Sequence, residues 1–304
     1  MSNLTKDTAY PCHHHEGAGV VAHIIQPDEK DLGGFSVRRS LPSSTNAMIG
    51  PWVFFDHFGP VTFNQGDGID IRPHPHINIA TLTYLFEGEI VHRDSLGNTQ
   101  PIQPGDINLM VAGSGIVHSE RERAEIKNSE HRLHGLQLWL ALPEQFEEMD
   151  PAFYHYPASA IPLVKIDNIP IRILVGSAYD ATSPVKTYCD TLYLEVKLQP
   201  GESIKLPDAE EIGIYPITGD AKVGNCIITE QSMAILKPGL NELIETTQPS
   251  QLIVIGGEKL GHRYLEWNFA SSRKARIEQA KMDWKNKRFD LVPGDEKEFI
   301  PLPD

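Results

Sequence analysis

Two short stretches hold the residues best suited to chemistry: Arg72-Pro73-His74-Pro75-His76 and Gly115-Ile116-Val117-His118-Ser119-Glu120. Each supplies two candidate metal ligands at spacing i, i+2. Side chains alternate faces along an extended chain, so both members of such a pair point the same way. His74 and His76 are expected to face one cavity, where His118 and Glu120 could join them from another strand. Three imidazoles and a carboxylate suit a divalent first-row metal with positions left open for water, oxygen or substrate. Pro73 and Pro75 fix φ at their own positions and push their predecessors toward extended geometry, which pre-sets the first pair. A lone HxH is a common accident of exposed loops; two pairs at equal spacing in β context are not. The expectation is a metal site inside a β-barrel.

The elements that must hold these residues read as all-β. Short apolar runs such as Val20 to Ile25 and Phe35 to Arg39 are separated by Pro, Gly, Asp and Asn. Pro51 to Pro60 is dense in aromatics and reads as core lining, with His57 a packed, hydrogen-bonded histidine. Ala80 to Phe86, Ile90 to His92, Ile107 to Val111 and Leu133 to Leu140 are further strands. Asp94-Ser95-Leu96-Gly97-Asn98 and Pro104-Gly105-Asp106 are turns, where Asp and Asn bond their own backbone and Gly supplies positive φ. Ser271 to Phe289 is the one helix, capped by Ser271 or Ser272, with Ile277, Ala280 and Trp284 as its apolar stripe. Its basic face reads as a solvated surface.

A weak internal repeat divides the chain. Tyr84-x3-Gly88 matches Tyr215-x3-Gly219, and each is followed by a Pro-Gly turn. Projecting His74 and His76 onto the second copy gives Lys205 and Pro207, so a second barrel is expected to keep the scaffold and lack the site. The expected spans are a loose tail over 1–16, a metal-binding barrel over 17–142 and a connection over 143–170. A second barrel without metal (171–260) and a C-terminal helix and tail (261–304) complete the chain. The His13-His14-His15 run, in the loose tail, is poorly preorganised for metal.

Composition narrows the function classes. With 27 basic and 41 acidic residues the formal charge is −14, which disfavours direct binding of a phosphate backbone. The three cysteines, Cys12, Cys189 and Cys226, form neither a disulfide framework nor a CxxC site, which suits a reducing compartment. No apolar run approaches the roughly 20 residues needed to cross a bilayer. With no apolar signal core in Met1 to Tyr10 either, a cytoplasmic location is expected.

Asp56-His57-Phe58-Gly59-Pro60, the two ligand stretches, Thr81 to Gly88 and His134-Gly135-Leu136-Gln137-Leu138-Trp139 resemble the pirin family of the cupin superfamily. The tail Leu291-Val292-Pro293-Gly294-Asp295 is similar to that of its longer bacterial members. The resemblance implies two antiparallel cupin barrels (a bicupin), with metal only in the first. The general cupin glutamate position is held here by Thr81. The family supplies the fourth ligand instead two residues after the third histidine, as Glu120. It implies Fe(II) at His74, His76, His118 and Glu120, while the ligand set alone leaves manganese, nickel, cobalt and copper open. His92 and His134 are candidates to orient the ligands through their second ring nitrogens. Some pirins resemble quercetin 2,3-dioxygenases. That implies an oxidoreductase acting with molecular oxygen on a flavonol or another phenolic or enolic compound, with Glu120 taking the hydroxyl proton. Phe55 and Phe58 would wall such a substrate, or simply pack the core. The alternative is a metal- or redox-responsive regulatory protein with a protein partner and no turnover.

Overall fold

The computed structural model describes residues 14–17, 19–32, 34–44, 46–239 and 243–303. Its named strands pair antiparallel and form two barrels. In the first, a seven-stranded sheet runs in the order Ala152–Tyr156, Ile107–Val111, Ile79–Glu87, His131–Ala141, Trp52–Phe63, Ser36–Leu41 and Asp28–Asp31. It is accompanied by a four-stranded sheet of Asp70–His76, Ile116–Arg121, Ile90–Asp94 and Thr99–Ile102. The second barrel repeats this plan with an eight-stranded and a four-stranded sheet.

The large sheet of the first barrel is buried on both faces, and its strands read as nearly continuous apolar runs for that reason. Along His131–Ala141, Leu136, Leu138 and Leu140 meet Tyr193, Tyr215, Ile253 and Ile255 of the second barrel. The alternate residues Trp139 and Ala141 turn into the first barrel, among Phe54, Ile79 and Met110. Polar contacts fix the two barrels against each other: Tyr84 Oη donates to Glu195 at 2.7 Å, and Trp52 Nε1 donates to the Leu192 and Gly256 carbonyls.

The chain exchanges its ends between the barrels. His14–Glu16 pairs with Val21–Ile25, which in turn pairs with Met233–Leu236 of the second barrel. Val21–Ile25 therefore lies within the span expected for the first barrel but is hydrogen-bonded to the other. Ala152–Tyr156, inside the expected connection, completes the first barrel's sheet beside Ile107–Val111. At the other end, Trp267, Phe269, Ile277 and Ala280 share a core with Phe58, Ile71 and Leu133 of the first barrel. Of the histidine run, His13 lies outside the described residues, and only the backbone of His14 and His15 is described.

The C-terminal helix spans Lys274–Lys285, shorter than Ser271 to Phe289. Neither serine caps it: Arg273 occupies the N-cap position without a side-chain cap bond. The Ser271 and Ser272 hydroxyls donate instead to Glu147, at 3.2 and 2.8 Å, and Ser271 closes a strand. Ile277 and Ala280 are buried as the apolar stripe requires. A one-turn helix, Ala124–Lys127, had no signal in the periodicity.

Candidate metal centre

Asp70–His76 and Ile116–Arg121 are neighbours, with His118 directly opposite His74. The register then slips: Arg72 and Pro73 separate Ile71 from His74, while Ser119 alone separates His118 from Glu120. Pro73 has no N–H to give the ladder, and such residues are tolerated at irregularities of this kind. Toward Ile90–Asp94 the pairing stays regular, placing His118 opposite Asp94 and Glu120 opposite His92. The ligand-bearing faces of three strands thus share one side of the sheet.

His74, His76 and His118 converge with their ligand atoms within 4.8 Å of one another, the one such group among the described residues. All three side chains are buried. Their Nδ1 atoms are engaged: His74 with the Arg72 carbonyl at 2.8 Å, His76 with the Asn268 carbonyl at 2.9 Å, His118 with His92 Nδ1 at 3.4 Å. A carbonyl only accepts, so His74 and His76 carry the proton on Nδ1 and keep a lone pair on Nε2. The Nε2 atoms of all three histidines are buried without a hydrogen-bond partner. Leaving such groups unmet costs about 1–3 kcal/mol each. A cation among them offsets that cost, and the donor set fits a first-row divalent metal.

The electrostatics agree with neutral imidazoles. Burial pushes His76 down to about 3. It likewise holds His74 and His118 well below the ordinary imidazole range, with the neighbouring histidines adding to the effect. Neutral rings are the form that ligates metal.

Glu120 is buried on the strand that carries His118 but is not part of the mutually close group. His92, expected to orient a ligand, does meet His118, and its Nε2 bonds Asp94 Oδ2 at 3.0 Å. Burial raises the Asp94 carboxyl, but hydrogen bonds from His92 and Asn98 outweigh it and hold the group below its usual range. Asp94 therefore serves two structures, since Oδ1 also accepts the Leu96 and Asn98 amides of the turn. His92-Arg93-Asp94 repeats the i, i+2 spacing of the two ligand pairs, a signal the sequence offered. The Asn268 carbonyl offered none, being backbone brought from 192 residues away.

Two expectations are corrected. His134 does not reach the ligands: its Nε2 lies 2.8 Å from His57 Nε2, and His57 Nδ1 lies 3.0 Å from the Tyr215 hydroxyl. His57 is the buried, hydrogen-bonded residue expected, at the contact between barrels. Phe55 does not wall the site either, because its strand neighbour faces inward and it faces out, 4.7 Å from the Tyr215 ring. Phe58 packs with Val37, Leu85 and Leu133. The aromatic surface near the histidines is Trp139, whose ring stands edge-on to His76 at 4.9 Å and stacks on Phe54 at 4.0 Å. Phe153 stacks on His92 at 4.4 Å. In the second barrel Lys205 is exposed at a strand end, and no second ligand group occurs among the described residues.

Two fused antiparallel barrels with a histidine triad buried in the first define a bicupin with one candidate metal centre among the described residues. The chain belongs to the pirin family: residues 34–140 match the Pirin model and residues 193–290 the Pirin C-terminal cupin domain. It is 44% identical over 285 residues to a pirin-like protein of Caulobacter vibrioides, covering 92% of this chain and 99% of that one. It is 31% identical to human pirin, covering 88% and 92% respectively. Among solved structures it is similar to a quercetin 2,3-dioxygenase from Acinetobacter baumannii. That likeness has a TM-score of 0.85 and 35% identity, and covers 92% of this chain and 94% of the other.

Proposed function

We propose that this pirin is a metal-dependent dioxygenase of the quercetin 2,3-dioxygenase type, acting on a flavonol or another phenolic or enolic compound. The observation that carries the reading is the convergence of three buried imidazoles whose Nε2 atoms lack partners while their Nδ1 atoms are held. The likeness to the Acinetobacter enzyme supports the choice of reaction. His74, His76, His118 and Glu120 would hold the metal, with Fe(II) the ion of choice. A divalent metal there supplies Lewis acidity toward the adjacent hydroxyl and keto oxygens of such a substrate. Glu120, on the face shared with His92 and His118, takes the substrate hydroxyl proton on a carboxylate oxygen. Asp94 and His92 keep the His118 ring oriented while this happens. The edge of Trp139 and the face of Phe153 exclude water from the same interior. No described helix is long and apolar enough to cross a membrane, and we place the protein in the cytoplasm.

The test is oxygen uptake by the iron-loaded protein on a flavonol panel, with His118→Ala as control. Uptake with a ring-opened product, absent in the variant, is expected. Stoichiometric metal with no uptake on any member would transfer the assignment to a metal- or redox-responsive protein with a protein partner.

A further inference from the structure

The inner face of the large sheet carries a polar row that the proposed chemistry leaves unused. His155, Asn108, Thr83, Gln137, Asp56 and Arg39 stand side by side in register across six neighbouring strands. Directly opposite residues on paired strands share a face. Two positions along each strand, on that same face, lie Phe153, Met110, Thr81, Trp139 and Phe54. Trp139 touches His76, and Phe153 touches His92. The polar row therefore faces the interior that holds the histidine triad, about 7 Å along the strands from the row whose Trp139 and Phe153 touch His76 and His92.

The row has two kinds of member. Its Arg39 end is closed: Nε and Nη2 donate to both Asp56 oxygens at 2.7 Å, so the pair is satisfied and carries no net charge. Its centre is open. Thr83 Oγ1 donates to Gln137 Oε1 at 2.7 Å, and Asn108 Oδ1 bonds His155 Nδ1 at 2.8 Å, which orients both amides with their NH2 groups unused. Gln137 Nε2, Asn108 Nδ2 and Trp139 Nε1 are buried without a partner. All three are donors.

The geometry points to a second recognition point for the substrate: a carbonyl oxygen at the edge remote from the metal, received by Gln137 Nε2 and Asn108 Nδ2. This inference rests on the proposed metal-dependent reading of the triad. Three buried donors lack partners and none of the row's buried acceptors does, which selects an acceptor oxygen. The one arginine of the row is already paired with Asp56, which favours an uncharged carbonyl over a carboxylate, since burying a charge without a counter-charge is costly. The substrate class is then a planar compound with a chelating pair of oxygens at one end and a keto oxygen at the other. Gln137 and Asn108 act as specificity-determining residues.

The test compares two probes with the same chelating head and nearly the same shape, 3,4-dihydroxyacetophenone and 4-ethylcatechol. Their binding to the cobalt(II)-loaded protein is followed by titration calorimetry without turnover. Gln137→Leu is expected to weaken the acetophenone by about tenfold while leaving ethylcatechol affinity and metal content unchanged. Asn108→Leu should do the same, and it serves if the first variant fails to fold. Equal loss for both probes, or no loss for either, would overturn the row's role and leave the metal reading standing. Failure of ethylcatechol to bind the loaded wild type would overturn both. A 3,4-dihydroxybenzoate arm that shows the larger loss would refute the preference for an uncharged oxygen.

Discussion

At the residue scale the candidate centre depends on tautomers as much as on positions. His74 and His76 are fixed by carbonyls, but His118 is fixed by another histidine, which leans on Asp94. That makes the Asp94–His92 pair the adjustable part of the site. Asp94→Ala removes the acceptor on His92 and the tether of the turn together, so His92→Phe is the cleaner probe. We expect His92→Phe to weaken metal binding by about 10- to 100-fold with the fold retained, checked by competition with a chelator. Unchanged affinity would show that His118 needs no such support. The triad itself was legible because Pro73 and Pro75 announce an extended chain and period two does the rest. Its support was half legible: His92-x-Asp94 has the same period, whereas the Asn268 carbonyl belongs to no side-chain pattern.

At the scale of elements, the strand His131–Ala141 must pack on both faces while touching two neighbouring strands. Gly135 is where this becomes tight. A Cβ there would lie 2.6 Å from both Leu85 Cδ2 and Phe58 Cζ, and 2.8 Å from the Tyr84 carbonyl oxygen. Gly135→Ala is expected to cost about 1–3 kcal/mol through overpacking, read as a lower urea midpoint at unchanged m-value. A neutral result would mean that the strand relaxes away from its partners. The neighbouring strand Trp52–Phe63 shows why Phe55 could be read as either substrate wall or core. In a run buried on both sides, hydrophobicity does not distinguish inside from outside, and only register separates Phe54 from Phe55. The C-terminal helix was legible from Ile277 and Ala280. Its start was not, because the two serines are taken by Glu147 from a distant turn.

At the scale of the whole molecule, the two barrels could be read from the repeat and the family resemblance. The exchange of ends could not. Nothing in Val21–Ile25 names Met233–Leu236 as its partner, and strand pairing is a long-range choice. The barrel contact also carries a pH-sensitive group. Burial lowers His57 well below the usual range and His134 to about 4, with nearby positive groups adding to the effect. Below pH 6.5 the unfolded chain binds protons that the folded pair refuses. Stability is therefore full above pH 6.5 and is lost as pH falls toward 4. His134→Gln should flatten that dependence relative to wild type in denaturation series between pH 7 and pH 4.5. The metal ligands titrate in both proteins, so parallel curves would contradict the assignment.

The central claim is a single metal held by His74, His76 and His118 in the first barrel. Anaerobic metal analysis of iron-reconstituted wild type, His118→Ala and Lys205→Ala tests it most directly. The account predicts one equivalent in wild type, none in His118→Ala and one in Lys205→Ala. One equivalent retained in His118→Ala, or a second equivalent lost with Lys205→Ala, would contradict it.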